Sequence, residues 1–303
     1  MGQGHSHAPP DSRRRLAVVL GLTVTVLVVE VVGAVVSGSL ALLADAAHML
    51  TDVAGLSMAL VVAAIVRRPP SDTHTWGLRR AEVLGAAAQA TLLLAVGGFV
   101  LVEAVRRLDE PAEVTGSAML VFGVVGLLGN VVGMTILAAG GREHHDLNMR
   151  AAYLEVVADA LGSVAVIVAA VLVATTGWER ADPVASLVIV ALIVPRTLHL
   201  LRETTHVLLE ATPRGLALAD VRARLLAHDH VREVHDLHVS SVATGLPTLT
   251  AHLVVDDSCF HDGHLATLLD QLQAALADDF DVAHSTLQFE RAGHAAHEHD
   301  LHP

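Results

Sequence analysis

The chain has 303 residues, of which 53% are hydrophobic, 3% aromatic and 17% charged. A soluble domain carries roughly a quarter charged residues, and the mean hydropathy here is +0.55, so part of this chain is built for lipid. A formal net charge of −13 excludes nucleic acid as a partner. The single cysteine, Cys259, excludes an internal disulfide and leaves imidazole and carboxylate as the metal-ligand chemistry on offer.

Residues 1–15 hold His5 and His7 among Gly, Ser and Pro, ahead of any apolar run. The first apolar run is too long for the core of a cleaved leader, and no small-residue cleavage site follows it. A helix crossing about 30 Å of hydrocarbon needs about 20 apolar residues. Six segments within residues 16–209 meet that length: Leu16–Val36, Leu40–Val66, Ala81–Val105, Ser117–Ala139, Ala151–Thr175 and Pro183–Leu209. Pro195, Arg196 and His199 interrupt the sixth, which predicts that it leaves the membrane near there and continues as a cytosolic helix. Arg13, Arg14 and Arg15 precede the first span; Arg67, Arg68, Arg79, Arg80, Arg142 and Arg150 flank later loops on that side. This excess places both termini in the cytosol of a multi-pass inner (plasma) membrane protein. Arg106, Arg107 and Arg180 stand on the opposite side, against the rule.

Residues 210–291 change character. Leu216–Ala227 has helical spacing, Val231–Val242 and Pro247–Val255 suit strands about a turn at Gly245, Leu265–Leu276 is amphipathic, and Val282–Phe289 alternates. The order α-β-β-α-β predicts a small α+β domain with an antiparallel sheet. Residues 292–303 form a His-rich tail, His294, His297, His299 and His302 among them, expected to be disordered. Both tails resemble weak metal collectors.

An ionisable side chain at the bilayer centre costs about 3 kcal/mol. The second span nevertheless holds Asp45, His48 and Asp52, and the fifth holds Glu155 and Asp159. Each of the pairs His48/Asp52 and Glu155/Asp159 is four residues apart, hence on one helix face. The two helices run in opposite directions, so all four groups can meet at one depth. One imidazole and three carboxylates make a nitrogen/oxygen cage suited to zinc. Asp45 stands nearer the outer end, where water can satisfy it. Glu30, Gln89 and Asn130 are single polar residues in other spans, read as packing or pathway groups.

The segment from Leu42 through Asp45, His48 and Thr51 to Asp52, and that from Asn148 through Tyr153 and Glu155 to Asp159, resemble the second- and fifth-helix signatures of the cation diffusion facilitators. Val234-His235-Asp236-Leu237-His238 and Ala251-His252-Leu253 resemble that family's cytosolic domain, and the likeness runs from about Leu16 to Glu290. It implies a six-helix transmembrane domain followed by a ferredoxin-like, metallochaperone-like cytosolic domain. It further implies a homodimer and proton-coupled export of zinc, with cobalt and cadmium as related substrates. In the family pattern a second metal site draws on His235, His252, His284 and Glu290, with His238 and His264 as further candidates. A loop site would use Asp72 and His74, but Leu78 stands where a second histidine is expected. Many zinc members carry His where this chain has Glu155, and a carboxylate there softens selectivity, whereas His48 breaks the oxygen-only cage that manganese prefers.

Three other readings remain. A metallohydrolase would need an open coordination position and a general base, yet no His-Glu-x-x-His helix is present. A membrane-anchored metal sensor without transport would leave the membrane carboxylates dispensable. A passive channel would conduct without proton dependence.

Overall fold

The structure, a computed structural model, describes residues 10–65, 70–138, 147–282 and 284–294; the side chains of Asp52 and of residues 147–159 lie outside the described set. The chain divides into two units, Met1–Ala64 with Gly85–Leu201, and Ile65–Leu84 with Arg202–Pro303. The loop between the second and third helices therefore groups with the C-terminal unit.

Six helices precede the soluble part: α1 (Pro10–Ser37), α2 (Leu40–Ile65), α3 (Arg80–Asp109), α4 (Gly116–Ala138), α5 (Leu147–Thr176) and α6 (Ala181–Leu208). Among the described residues, Leu20–Ser37, Arg80–Asp109, Gly116–Gly133 and Ala181–Leu208 are long and apolar enough to cross a membrane. At about 1.5 Å per residue, α2 with 26 residues and α5 with 30 also have the length. Helix α6 runs unbroken through Pro195 to Leu208.

Small side chains set the packing of the first unit. Its core joins Ala41 and Ala44 of α2, Ala104 of α3, Ala169 and Ala170 of α5, and Ala181 and Ala185 of α6, around Leu42, Met119 and Ile189. In lipid, where the outside is as apolar as the inside, close backbone approach through small residues replaces hydrophobic burial as the source of helix adhesion. Helices α1 and α4 meet through glycine. A Cβ on Gly33 would run into Phe122 Cγ and Cβ, one on Gly129 into Val26, and one on Gly126 into the Glu30 carboxylate. Glu30 is fully buried, so this acid sits at a helix seam and not toward lipid. Arg107, an exception to the charge rule, is engaged locally: it donates to Glu103 at 3.0 Å and to the Gly38 carbonyl at 2.8 Å.

The second unit adds α7 (Leu218–Leu226), β1 (Val231–Ala243), β2 (Leu246–Val255), a short 3-10 turn at Asp257–Phe260, α8 (Leu265–Phe280) and β3 (His284–Glu290). The sheet order is β1-β2-β3. β1 and β2 form an antiparallel hairpin about Gly245, whose φ of 69° suits a residue without Cβ. β3, however, pairs parallel to β2, which corrects the expectation of an all-antiparallel sheet. The physical reason is α8: a strand that returns through a packed helix re-enters the sheet in its original direction. Leu268, Leu272 and Leu276 of α8, with Val221 and Leu225 of α7, bury against Leu249, Ala251, Leu253 and Val255 of β2. The other sheet face carries Thr250 and His252, and it is there that the histidines gather.

Candidate metal sites

The first site is built on α2. His48 is 8% exposed and Asp45 3%, so Asp45 is buried rather than turned to water at a helix end. Its Oδ2 lies 3.3 Å from the Ser163 hydroxyl of α5, which in turn lies 3.4 Å from the Asn130 amide of α4. Gly162 allows this approach, since a Cβ there would sit 3.2 Å from Asp45 Oδ1. Gln89 of α3 donates to the Thr51 carbonyl at 2.5 Å, one residue before Asp52. Asn130 and Gln89, read from sequence as isolated polar residues, thus tie neighbouring helices to the ligand-bearing segment of α2. A cleft is lined by Asp45 and His48, Gly162, and Ile189, Ile193 and Arg196 of α6. Arg196, expected to mark the exit from the membrane, borders the same cleft as His48. Asp52 lies in α2, and Glu155 and Asp159 lie in α5; their side chains fall outside the described residues.

The second site is built on the helix-free face of the sheet. His235 and His252 are direct partners across β1 and β2, with ring centroids 5.4 Å apart. Glu290 enters from β3, its side chain 2% exposed, with Oε2 3.2 Å from His235 Nε2 and Oε1 2.9 Å from His252 Nδ1. The Gln288 amide also donates to Glu290 Oε1 at 2.7 Å. The ligand atoms of His235, His252 and Glu290 all lie within 4.8 Å of one another. Two imidazoles and a carboxylate converging from three strands fit a zinc-type ion with a fourth position left for another donor.

A β-bulge makes this possible. Register slips between His235 and His238, and Asp236 takes a left-handed φ of 47°. Val234, Leu237 and Val239 are all buried, although 234 and 237 would face opposite sides of a regular strand. The inserted residue resets the parity, so Val234 and Leu237 both reach the core while His235 faces out. Asp236, not singled out in the sequence, contacts His238 Nε2 at 2.9 Å and His252 Nε2 at 3.7 Å. The odd spacing of Val234 and Leu237 was the available signal.

Other candidates sit elsewhere. His284 is not brought to the cluster: it opens β3 opposite Thr248, while Glu290 closes it opposite Val254. Six residues of strand separate them, about 20 Å. The His284 ring instead meets Trp76 edge-on at 4.7 Å. His264 precedes α8 and faces His230 at 5.0 Å. Asp72 and His74 form a tight exposed turn, closed by the Ser71–His74 bridge, with His74 Nδ1 3.1 Å from Thr73 Oγ1. Among the described residues one group of three ligands meets, and it includes neither of these two. His5, His7, His297, His299 and His302 lie outside the described residues.

Asp256 has a perturbed acidity. The Arg232 guanidinium donates to both its oxygens at 2.6 and 2.8 Å, and His230 Nδ1 lies 3.2 Å away. The Arg232 hydrogen bonds are the main reason its pKa lies below the ordinary carboxylate value, and they raise that of Arg232 in return. A carboxyl depressed in the folded state stabilises it above the unfolded value, near 3.9, and loses that effect as pH falls through the folded value. Asp256→Asn is therefore expected to lower the melting temperature of the full-length protein slightly at pH 7. The gap from the parent should close as melts are taken to progressively lower pH below about 4.

The comparisons with known proteins agree with this architecture. Residues 16–209 match the cation efflux transmembrane domain, and residues 213–292 match the cytoplasmic domain of cation efflux proteins. The chain is 42% identical over 293 residues to the metal cation efflux system protein CzcD of Cupriavidus metallidurans, covering 96% of this chain and 91% of that one. It is 40% identical over 287 residues to the zinc transporter ZitB of Escherichia coli, covering 94% and 90%. It is 33% identical over 300 residues to the cadmium, cobalt and zinc/H(+)-K(+) antiporter of Bacillus velezensis, covering 99% and 94%. A solved metal-bound C-terminal domain of the CzcD transporter is 37% identical over 25% of this chain and 99% of its own, with a TM-score of 0.23. The matched family and relatives define a multi-pass membrane transporter of cations, not an enzyme. The chain belongs to the cation efflux family.

Proposed function

We propose that this chain exports a divalent cation, zinc foremost and cobalt and cadmium as related substrates, from the cytosol across the inner membrane in exchange for protons. It works as a homodimer with both termini in the cytosol. The observation that carries the reading is the buried pair His48 and Asp45, imidazole and carboxylate, on one cleft of a spanning helix in a cation efflux chain. Such groups are costly in hydrocarbon, and a passing cation offsets that cost. The names of the relatives, a zinc transporter and a cadmium, cobalt and zinc antiporter, favour the same substrates.

His48, Asp52, Glu155 and Asp159 hold the substrate. Metal ligands must be deprotonated, so loading from the cytosol releases protons and reprotonation from a more acidic exterior expels the ion. An imidazole binds either a proton or a metal ion, which makes His48 a natural member of the exchange. In the cytosolic domain His235, His252 and Glu290 hold a resident zinc-type ion; when bound, it ties β1, β2 and β3 together on the open face of the sheet. There Asp236 orients His252 and His238.

The test is uptake of Zn²⁺, Co²⁺ and Cd²⁺ into inside-out vesicles with an acidic interior. Zinc should accumulate, and accumulation should collapse when the gradient is dissipated. Unchanged uptake without a gradient would overturn the exchange. Metal bound but never accumulated would put a membrane-anchored sensor in its place.

A further inference from the structure

Asp182 is the second residue of α6, and it is fully buried. Its carboxylate serves another helix. Oδ1 accepts the Ser39 hydroxyl at 2.5 Å and the Ala41 N–H at 3.1 Å, and Oδ2 accepts the Leu40 N–H at 2.8 Å. These N–H groups belong to the first turn of α2, which has no intrahelical acceptors for them. A negative charge there is also favoured by the α2 macrodipole. The Arg107 guanidinium of α3, bound to the Gly38 carbonyl, stands 3.9 Å from Asp182 Oδ2. The start of α2 is thus tied to α6 through Asp182 and to α3 through Arg107.

A cap alone does not require this arrangement. Ser39 already caps α2 from its own N-terminus, accepting the Leu42 N–H at 3.1 Å. What Asp182 adds is a link 142 residues away in sequence from Leu40. The faces joined by that link are the faces of the cleft. On α2, Ala41, Asp45, His48 and Asp52 succeed one another at steps of four, three and four, hence on one face. On α6, Asp182, Ile189 and Ile193 stand at steps of seven and four, again on one face, and both isoleucines line the cleft with His48. From Leu40 to His48 is about 12 Å of helix and to Asp52 about 18 Å. Over so short a rod, a shift at the first turn is carried to the ligands.

We propose that Asp182 is a positioning residue for the transported cation: it sets the height and rotation of α2, and with it His48 and Asp52, against α6. The inference rests on His48 and Asp52 being substrate ligands. Breaking the link displaces those ligands while leaving all of them present, so affinity and metal preference change without loss of the site.

The experiment measures Zn²⁺ and Cd²⁺ transport by the full-length protein in proteoliposomes, with melting temperature in parallel. Asp182→Asn should raise the KM for zinc about ten- to a hundredfold, as loss of a group that orients metal ligands does, and should shift the zinc-to-cadmium ratio of kcat/KM. Asp182→Glu keeps the charge on a tether one methylene longer, so it should fold and shift the same ratio by a smaller factor; it carries the test if Asp182→Asn does not fold. Adding Ser39→Asp to Asp182→Asn returns a carboxylate to the α2 N-cap without the link to α6. That double variant should recover melting temperature and keep the altered KM and ratio. Recovery of KM and ratio along with stability would reduce Asp182 to a cap and overturn the proposal. So would parental KM and ratio in folded Asp182→Glu. Asp52→Ala in the same assay separates the two levels: normal transport by that variant would sink the ligand assignment itself, whereas silence from it with parental kinetics in the Asp182 variants sinks only the positioning role.

Discussion

Asp52→Ala and Asp159→Ala are each expected to cut zinc transport by about a hundredfold or more, beyond the cost of losing an outer-shell partner of a metal ligand, and to leave the protein folded. On the proposed assignment each removes one of four ligands, a carboxylate whose charge answers that of the divalent cation, so the cation is held and passed on less well. Folding should move the other way. An ionisable group deep in a span costs about 3 kcal/mol on insertion scales, so its removal relieves the metal-free protein. The expected signature is therefore split: transport lost, metal-free melting temperature equal to the parent or higher, and the stabilisation that zinc gives the parent greatly reduced. Vesicle uptake and melts with and without zinc read all three. A folded Asp52→Ala that transports at the parental rate would mean the cation takes another path.

The α1–α4 seam carries the second large effect. A Cβ on Gly33 would lie against the Cγ and Cβ of Phe122, and a rotamer change can move the ring but not the Cβ, which the α4 backbone fixes. Gly33→Val must therefore push the helices apart, and overpacking of this kind costs about 1–3 kcal/mol. For a unit of this size that corresponds to a melting temperature lowered by about 2–12 °C. Gly129→Val, facing Val26, should behave likewise. Gly98 in α3 is the control: nothing approaches its Cβ position within 4 Å, so Gly98→Ala should be neutral or slightly stabilising through helix propensity. Size-exclusion profiles and melts in detergent distinguish a seam lost from one relaxed. If Gly33→Val melts with the parent, the close approach of α1 and α4 does not contribute to stability.

Helix length, the placement of His48 and Asp52 in α2 and of Glu155 and Asp159 in α5, and the α-β-β-α-β order were legible because each depends on local pattern. Apolar run length answers to the thickness of hydrocarbon, and i, i+4 spacing places His48 and Asp52 on one face whatever surrounds them. The soluble cluster was legible in part. His235, His252 and Glu290 converge, but His284 does not, since strand direction and register decide which end of β3 meets His252. That direction follows from the α8 crossover, and the facing of His235 follows from the bulge at Asp236. Neither is written in residue type, although the break in alternation between Val234 and Leu237 hinted at the second.

Asp45 and Asp182 show the same division from the membrane side. Sequence placed Asp45 near a helix end, where water is the default partner, and gave no sign of a role for Asp182. In the structure both are buried, Asp45 3.3 Å from Ser163 of α5 and Asp182 on the first turn of α2. By itself, the sequence determined that this chain spans a membrane, that ionisable residues and an imidazole fall within its spans, and that a small α+β domain follows. Tertiary structure alone decided which helix ends are tied together, which histidines share a face, and which acids are withdrawn from water. Insertion and helical periodicity are set by neighbours along the chain, whereas the meeting of His235, His252 and Glu290, and of Asp45 with Ser163 and Asp182 with Leu40, joins residues distant in the chain, brought together only when strands choose their register and helices pack.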